Sequence, residues 1–357
     1  MTVPCEGRAL ATKTSRDKRK QVHWGILGCA GVARAVTIPG IERSRNGTVL
    51  AVASRSFDKA QEFSGQFNAE RTYGCYEELL GDPDVEAVYI PLPNSMHKEW
   101  TLKAAAKGKH VLCEKPLACN AVDSQEMVEA CRNRGVLLME AFAHRFHPHN
   151  ILVRNLIEEG RIGRVLGMTS NHSSGRPAAS DIRLSKELGG GILMDKGCYC
   201  VNTARFVLGS EPISAFANVV YGDQSGVDER VIALLEFPDE AKVQFDSSFL
   251  LASGVYYQGY EVFGESGRIL VPIGFAQLPT YRRGEIIDTD IFITDQANQT
   301  EKISVKGEHQ WKLEVEYFAD CVLQTEDIAF PSENGLANMK VIDAIYASGK
   351  EARAVAL

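Results

Sequence analysis

The sequence predicts an α/β protein built of two parts, a parallel α/β domain followed by an α+β domain with an open-faced sheet. Three observations support this prediction. Up to residue 142, short apolar strands alternate with helices, a rhythm that produces right-handed crossovers and a parallel sheet. Beyond that point several segments alternate in polarity with period two, which is typical of a sheet with one open face. The length of 357 residues also suits two domains.

The first part begins with a buried strand and keeps its rhythm to residue 140. Apolar runs predict the strands, and Gly108 and Gly135 mark the ends of two helices. The predicted strands cover residues 22–27, 48–53, 85–90, 110–113 and 136–140, and the predicted helices cover residues 28–43, 57–67, 76–80, 97–107 and 120–134.

The second part mixes helices with longer extended segments. The predicted helices cover residues 150–159, 194–208, 311–324 and 336–348, and the predicted strands cover residues 165–172, 213–221, 228–237, 242–250, 256–264 and 268–272. We therefore divide the chain into a polar basic tail at residues 1–21, a first domain at 22–142 and a second domain at 143–357.

Composition argues against several classes of protein. The formal net charge of −7 speaks against a nucleic-acid partner, which would call for a clustered basic face. No apolar run approaches the ~20 residues that span a bilayer, so no membrane partner is predicted. The tail at residues 1–21 lacks the apolar core of a secretory signal, and we interpret it as a solvated extension.

The cysteines indicate a reducing compartment. There are 9 of them, an odd number, and none forms a C-x-x-C pair. Their scatter through predicted strands and helices suits small buried side chains in a reduced, cytoplasmic protein. Without ligand spacing, no metal site is predicted.

The turn after the first strand carries a variant of the dinucleotide-binding fingerprint, G-x-A-x-x-A in place of G-x-G-x-x-G. Gly28 makes the tight turn, and small residues let the backbone approach a pyrophosphate at the helix N-terminus. A plain strand–turn–helix is the alternative. The segment reads Gly28-Cys29-Ala30-Gly31-Val32-Ala33.

The end of the second strand favours NADP(H) over NAD(H), while leaving NAD(H) open. An NAD site often carries an acid there for the ribose hydroxyls, but this chain has Ser54 and Arg55. A guanidinium can bind a 2′-phosphate through two parallel hydrogen bonds. Alternatively, Ser54 only caps the helix that begins near Phe57, and Arg55 is solvated.

The fourth predicted strand ends in Glu114-Lys115-Pro116, which places a lysine where ligands bind in α/β sheets. The following proline restricts the backbone around this lysine. A surface Glu–Lys pair before a turn is the alternative for such a tripeptide taken alone.

Several ordered motifs together resemble the Gfo/Idh/MocA family of oxidoreductases, from about Val22 to the C-terminus. They are GILGCAGVA at 25–33, DVEAVYIPLPN at 84–94 with His97, HVLCEKPL at 110–117, MEAFAHRFHP at 139–148 and GGGILMDKGCY at 189–199. The resemblance implies a Rossmann domain followed by a domain with a large, mostly antiparallel sheet that commonly provides oligomer contacts, here a homodimer or homotetramer. It also implies hydride transfer between NAD(P) and a carbon of a sugar, polyol or related cyclic alcohol.

One departure concerns the D-x-G-x-H pattern, where this chain has Tyr199. Tyrosine there is similar to the branch with glucose-fructose oxidoreductase, dimeric dihydrodiol dehydrogenase and sugar 3-ketoreductases. That branch usually carries F-M-Y-R-F-H-P, whereas this chain has Ala143 and His144 in place of the Met and Tyr.

The resemblance implies roles for three residues in proton transfer. Tyr199 is expected to be the acid/base, with Lys115 lowering the pKa of its phenol and donating to a substrate hydroxyl. Asp195 lies four residues earlier, so a helix places both on one face, where Asp195 could bind substrate or orient Lys115. A core tyrosine and an aspartate at a helix start are the alternatives.

Other candidates surround these three. Pro91, His97 and Glu114 are expected on the nicotinamide side, and Asn94 is expected among the residues that bind the cofactor. Arg145, His172 and Arg183 are expected to contact substrate, and Arg183 could bind a carboxylate or phosphate. For Arg183 a solvated loop position is the alternative.

The sequence thus predicts an NADP(H)-dependent dehydrogenase or reductase that acts on a carbohydrate-like ring. A non-catalytic NADP-binding regulator of the same fold is the competing hypothesis, and the presence of Lys115, Asp195 and Tyr199 together favours the enzyme. An aldose oxidoreductase that never releases its cofactor is a third hypothesis.

Overall fold

The first part of the chain forms a sheet of six strands in a computed structural model that describes residues 21–275 and 286–357. The strands are β1 Val22–Leu27, β2 Gly47–Ala53, β3 Arg71–Tyr73, β4 Ala87–Ile90, β5 His110–Glu114 and β6 Leu138–Ala141. They lie in the order β3-β2-β1-β4-β5-β6, and every neighbouring pair is parallel. The predicted tail, apart from Gln21, lies outside the described residues.

Five of these strands confirm the prediction, and β3 was missed. Its three residues are only half-buried, so no apolar run marks it in the sequence. The strand order reverses between β1 and β4, and this is the point in an open α/β sheet where ligands bind beyond the strand ends.

Helices cover both faces of this sheet and pack on two separate apolar cores. The predicted helix after β1 is confirmed, but it contains a π-helical turn at Ala33–Thr37 before the α-helical segment Ile38–Arg43. The other helices are Phe57–Phe67, Tyr76–Gly81, His97–Ala106 and Ala121–Arg134.

The second sheet has nine strands among the described residues, and their numbers continue from β6 along the chain. They are β7 Val165–Ser174, β8 Ser214–Tyr221, β9 Asp228–Glu236, β10 Lys242–Ser248, β11 Tyr256–Gly264, β12 Gly267–Val271, β13 Thr289–Asp295, β14 Thr300–Val305 and β15 Val355–Ala356. In the sheet they lie in the order β14-β13-β12-β11-β7-β10-β9-β8-β15. All pairs are antiparallel except β7 with β10, so the mostly antiparallel sheet is confirmed. The sequence did not predict β13, β14 or β15.

One face of this sheet is packed and the other is open, as predicted. The packed face lies under helices that include Cys198–Leu208 and Ser332–Glu351, and the Ser348 hydroxyl accepts from the backbone N–H of Ala217 at 2.9 Å. On the open face, Phe216 pairs with Leu234, and both side chains are exposed. Among the described residues of this part, Pro148–Glu158 and Gln310–Val322 form two further long helices.

The two parts are joined by helices from the end of the chain. The helix Gln310–Val322 returns to the first sheet, where the ring of Phe318 lies 5.7 Å from that of Trp24. The helix Ser332–Glu351 reaches the first part too, since Asp343 accepts from the backbone N–H of Ala121 at 2.8 Å. The packing therefore crosses residue 142, and the division of the chain at that residue stays a prediction.

No helix within residues 21–275 and 286–357 is long and apolar enough to cross a membrane.

Candidate active site

A cavity of about 520 Å³ opens where the strand order of the first sheet reverses, between that sheet and the second part. Its walls combine the fingerprint turn, the loops after β4 and β5, and side chains of the second part. The lining residues include Ala30, Gly31, Val32, Pro91, Asn94, Glu114, Lys115, His172, Arg183, Asp195, Lys196, Tyr199, Tyr256 and Trp311.

The fingerprint turn has the shape that a dinucleotide requires. Gly28 takes a φ of 109°, which favours glycine, and its N–H donates to the carbonyl of Ala53 at 2.8 Å. A Cβ at Gly31 would meet nothing within 4 Å, so the backbone is open for a ligand to approach. Gly31 lines the cavity together with Ala30 and Val32, whereas Gly28 and Cys29 lie behind it. The residues present therefore fit a dinucleotide.

Arg55 lies beside this turn. Burial raises the pKa of Tyr76, and the Arg55 guanidinium next to the phenol partly offsets the rise. The Tyr76 hydroxyl is 3.6 Å from the position of a Cβ on Gly28, which places Arg55 near the fingerprint. The helix Phe57–Phe67 is capped by Ser56, whose hydroxyl accepts from Lys59, so Ser54 does not serve as the cap.

His97 lies behind the cavity and does not line it. The ring is fully buried, with Nε2 2.8 Å from the carbonyl of Leu92 and Nδ1 2.9 Å from that of Pro116. It thereby joins the loops that follow β4 and β5. Asn94 and Pro91 do line the cavity, and the Asn94 amide donates to the carbonyl of Gly189 at 2.7 Å.

Lys115 is held at the end of β5 by Asp195. Its ammonium donates to the backbone carbonyl of Asp195 at 2.7 Å and to Oδ1 at 3.2 Å. Although burial disfavours its charge, Asp195 raises the pKa of Lys115 above its usual value. The neighbouring Glu114 accepts from the Tyr89 hydroxyl, and burial raises the pKa of that carboxyl.

Asp195 bridges two cations. Its Oδ2 lies 3.0 Å from Nε of Arg183, opposite the contact that Oδ1 makes with Lys115. Burial favours the neutral acid, but Arg183 and Lys115 hold the pKa of Asp195 well below its usual range. Arg183 also bonds Asp181, so this guanidinium is tied to two carboxylates. Whether Asp195 binds substrate or orients Lys115 stays a prediction.

Tyr199 faces the cavity from an aromatic wall. The Lys115 ammonium lies 5.0 Å from the centre of its ring, and the rings of Phe142, His144 and His172 lie 5.1–5.3 Å away. Burial and then Glu114 raise the pKa of Tyr199 well above its usual value. The pKa of the phenol is therefore not lowered overall, as was expected beside Lys115, but raised by burial. The phenol keeps its proton at neutral pH and is suited to act as an acid.

His172 lies beside Tyr199 and shares a contact with a residue that the sequence analysis missed. Its Nε2 is 2.6 Å from the hydroxyl of Tyr256, and its ring stacks on Phe275 with centroids 4.9 Å apart. Burial lowers the pKa of His172 well below its usual value, so the ring is neutral. His172 lines the cavity, in agreement with its predicted position.

Arg145 does not reach the cavity, contrary to its predicted contact with substrate. The side chain is 3% exposed, donates to Asn202 at 2.7 Å and lies over the rings of Phe142 and Phe330. Burial lowers the pKa of Arg145 to about 10. Its position behind the aromatic wall explains the error, since the motif shows only proximity along the chain.

Lys196, Tyr256 and Trp311 line the cavity but were not predicted. Lys196 directly follows Asp195, and a π-helical turn at Leu193–Gly197 could have drawn attention to it, because such turns are frequent at functional sites. Tyr256 and Trp311 come from the start of β11 and from the helix that returns to the first sheet, so no local signal marks them.

A glycine-containing turn at the reversal of a parallel sheet, with a fixed lysine and a buried tyrosine in one cavity, defines the class of dinucleotide-dependent oxidoreductases. The family model for the NAD-binding Rossmann fold of an oxidoreductase family matches residues 22–142, and the GFO/IDH/MocA C-terminal domain matches residues 151–270. The chain belongs to the Gfo/Idh/MocA family, and its first part is an NAD-binding Rossmann domain.

Relatives cover nearly the whole chain. D-xylose 1-dehydrogenase (NADP(+)) 2 of Haloferax volcanii is 36% identical over 94% of this chain and 99% of its own. Among solved structures, a 3-ketoreductase from Actinomadura kijaniata in complex with NADP and TDP-benzene has a TM-score of 0.84, with 30% identity over 92% of this chain and 98% of its own. An aldose-aldose oxidoreductase from Caulobacter crescentus complexed with glycerol has a TM-score of 0.85, with 26% identity over 95% of this chain and 100% of its own.

Proposed function

We propose that the protein transfers a hydride between NADP(H) and a hydroxyl or keto carbon of a sugar, sugar derivative or related cyclic alcohol. One observation carries this proposal: the Tyr199 ring, the Lys115 ammonium and the fingerprint turn all face one cavity. The relatives named as D-xylose dehydrogenase, sugar 3-ketoreductase and aldose-aldose oxidoreductase support a carbohydrate-like substrate.

The groups have distinct tasks in the reductive direction. The turn at residues 30–32 would hold the dinucleotide, which would supply the hydride for the carbonyl carbon when bound. The Tyr199 hydroxyl gives its proton to the carbonyl oxygen as negative charge develops there. The Lys115 ammonium stabilises that charge, and Asp195 fixes the position of the ammonium through two contacts.

The raised pKa of Tyr199 leaves its phenol protonated at neutral pH, which is the form that reduction requires. A protonated phenol is ready to donate, whereas oxidation of an alcohol first needs the phenolate as base.

The choice of cofactor is tested by Arg55→Ala. We expect NADPH to bind the wild type more tightly than NADH, because the guanidinium beside the fingerprint can bind the 2′-phosphate. The substitution should cost about 1.5–3 kcal/mol in NADPH binding and little in NADH binding. Dissociation constants from fluorescence titration check this. Equal affinities of the wild type for NADH and NADPH would contradict the assignment.

The open face of the second sheet is proposed to form a homodimer or homotetramer. Phe216, Val220 and Leu234 are exposed on neighbouring strands, and such an apolar surface favours association. Sedimentation at micromolar concentration should show a dimer or tetramer. Leu234→Asp should shift the oligomeric state towards monomer. Val122→Asp, which changes an exposed residue on a helix of the first part, should leave the oligomeric state unchanged. A wild-type monomer throughout that range would refute this proposal.

A substrate screen tests the enzymatic proposal itself. Aldoses, cyclitols, glycosides and sugar nucleotides are offered with NADP⁺ or NADPH, and the absorbance of the reduced nicotinamide is followed. Turnover with at least one ring alcohol or ketone is expected. Turnover with added sugars but without added cofactor would support a permanently bound dinucleotide, and NADP binding without any turnover would favour the non-catalytic regulator.

A cytoplasmic location also stays a prediction. It is supported by the cysteines of the described part of the chain, all of which are free thiols.

A further inference from the structure

Lys196 differs from the other cations of the cavity in its surroundings. Lys115 and Arg183 both bond Asp195, and Arg183 also bonds Asp181, so their charges are balanced by carboxylates. For the Lys196 ammonium, no ion pair or hydrogen bond is found among the residues that the structure describes. Its contact is the ring of Tyr256, whose centre lies 4.2 Å from Nζ.

This unpaired charge is largely withdrawn from water. Lys196 is 8% exposed and lines the cavity from the π-helical turn Leu193–Gly197. Burial lowers the pKa of Lys196 to about 8, although Asp195 opposes the change, so the amine remains mostly charged at neutral pH. A contact with an aromatic face compensates only part of the cost of burying a charge, and a partner anion compensates more.

Lys196 lies on a different part of the chain from the residues that would hold the phosphates of a dinucleotide. The fingerprint turn and Arg55 belong to the first sheet. Lys196 instead faces Tyr256 at the start of β11, beside His172 on β7 of the second sheet. An anion in contact with Lys196 would therefore belong to the substrate, close to the Tyr199 ring that contacts His172.

We propose that Lys196 binds an anionic oxygen group of the substrate, a carboxylate or a phosphate, so that the enzyme prefers a sugar acid or sugar phosphate to the neutral sugar. This inference rests on the proposed function, because it specifies the substrate class of the same cavity. The cavity of about 520 Å³ lies in the size range of small-molecule sites, which leaves room for such a ring beside the nicotinamide.

The test compares substrates that differ only in the charged group. D-glucose, D-glucuronate and D-glucose 6-phosphate are offered to the wild type, and D-galactose with D-galacturonate forms a second pair. A charged hydrogen bond should raise kcat/KM for the preferred anionic sugar about 10- to 100-fold over its neutral partner. The glucuronate and phosphate arms distinguish the two sources of negative charge.

Variants then assign the preference to this residue. Lys196→Met keeps an unbranched side chain over the Tyr256 ring and removes the charge, and it should abolish most of the preference. Lys196→Arg should retain much of it. Lys186→Met serves as the matched control, because Lys186 is an exposed lysine of the neighbouring loop that does not line the cavity, and it should leave the preference unchanged.

Two results would overturn the inference. One is a wild type that uses the neutral sugar as well as the anionic one. The other is a Lys196→Met enzyme, with an unchanged melting temperature, that loses activity equally on both members of a pair. Calorimetric titration of the NADP⁺-loaded protein with glucuronate and glucose gives a readout without turnover. Absence of hydride transfer with any sugar would therefore refute the proposed function, while the titration would still decide the role of Lys196.

Discussion

Tyr199→Phe should lower kcat about 10²- to 10⁴-fold and leave the affinity for NADPH nearly unchanged, because positioned acid–base catalysis typically contributes a factor of this size. The substitution removes only the hydroxyl. The phenylalanine ring can keep the contacts that Tyr199 makes with Phe142, His144 and His172, so the aromatic wall should persist. Steady-state kinetics in the reductive direction and fluorescence titration with NADPH measure the two quantities.

Tyr256→Phe is the matched control, since it removes the hydroxyl of the other tyrosine in the cavity. The Tyr256→Phe substitution should lower kcat far less than Tyr199→Phe, because the Tyr256 hydroxyl contacts His172 and is assigned no proton transfer to substrate. A Tyr199→Phe enzyme that keeps most of its kcat at every pH would move the acid/base role elsewhere. His172 would be the next candidate, followed by a water molecule held by Asp195.

Lys115→Met should lower kcat about 10²- to 10³-fold, the usual cost of removing one donor that stabilises a developing oxyanion. The ammonium lies over the Tyr199 ring, so its loss should also raise the pKa of the phenol further. In the reductive direction the active phenol is protonated, and the fall in rate at alkaline pH should therefore move to higher pH. Asp195 keeps Arg183 as a partner, so the variant should fold.

The pH–rate profile separates this role from a merely structural one. A lysine that only supported the fold would change the rate without moving the alkaline limb of the profile. The losses in the double variant Tyr199→Phe, Lys115→Met should not multiply, because residues that act as one unit are strongly non-additive. Fully multiplicative losses would show that the two groups act independently.

Local pattern was enough to predict most of the fold. Apolar runs between glycine and proline breaks predicted β1 and the helix Phe57–Phe67 to the residue, because strand and helix periods are properties of consecutive residues. The edge strand β3 was not predicted, because a half-buried segment of three residues has no apolar periodicity that would mark it. The strands β13 and β14 were missed as well, and the turn at Leu193–Gly197 became π-helical rather than α-helical.

The sequence likewise predicted only part of the candidate site. Motifs predicted that Lys115, Asp195 and Tyr199 belong together, and the structure brings them into one cavity. Motifs could not show that Arg145 turns into the aromatic wall, or that His97 joins two loops behind the cavity. Burial is decided by all the elements that pack around a side chain, and a motif contains only its own neighbours.

By itself the sequence predicted five of the six strands of the first part, the fingerprint turn, and the four-residue spacing between Asp195 and Tyr199. Only the tertiary structure decided which distant elements close the cavity, including the helix Gln310–Val322 and the start of β11. It also reversed the expected direction of the Tyr199 pKa and left Lys196 with an aromatic face as its partner. Periodicity depends on local backbone geometry, whereas desolvation and charge balance depend on contacts between residues far apart in the chain.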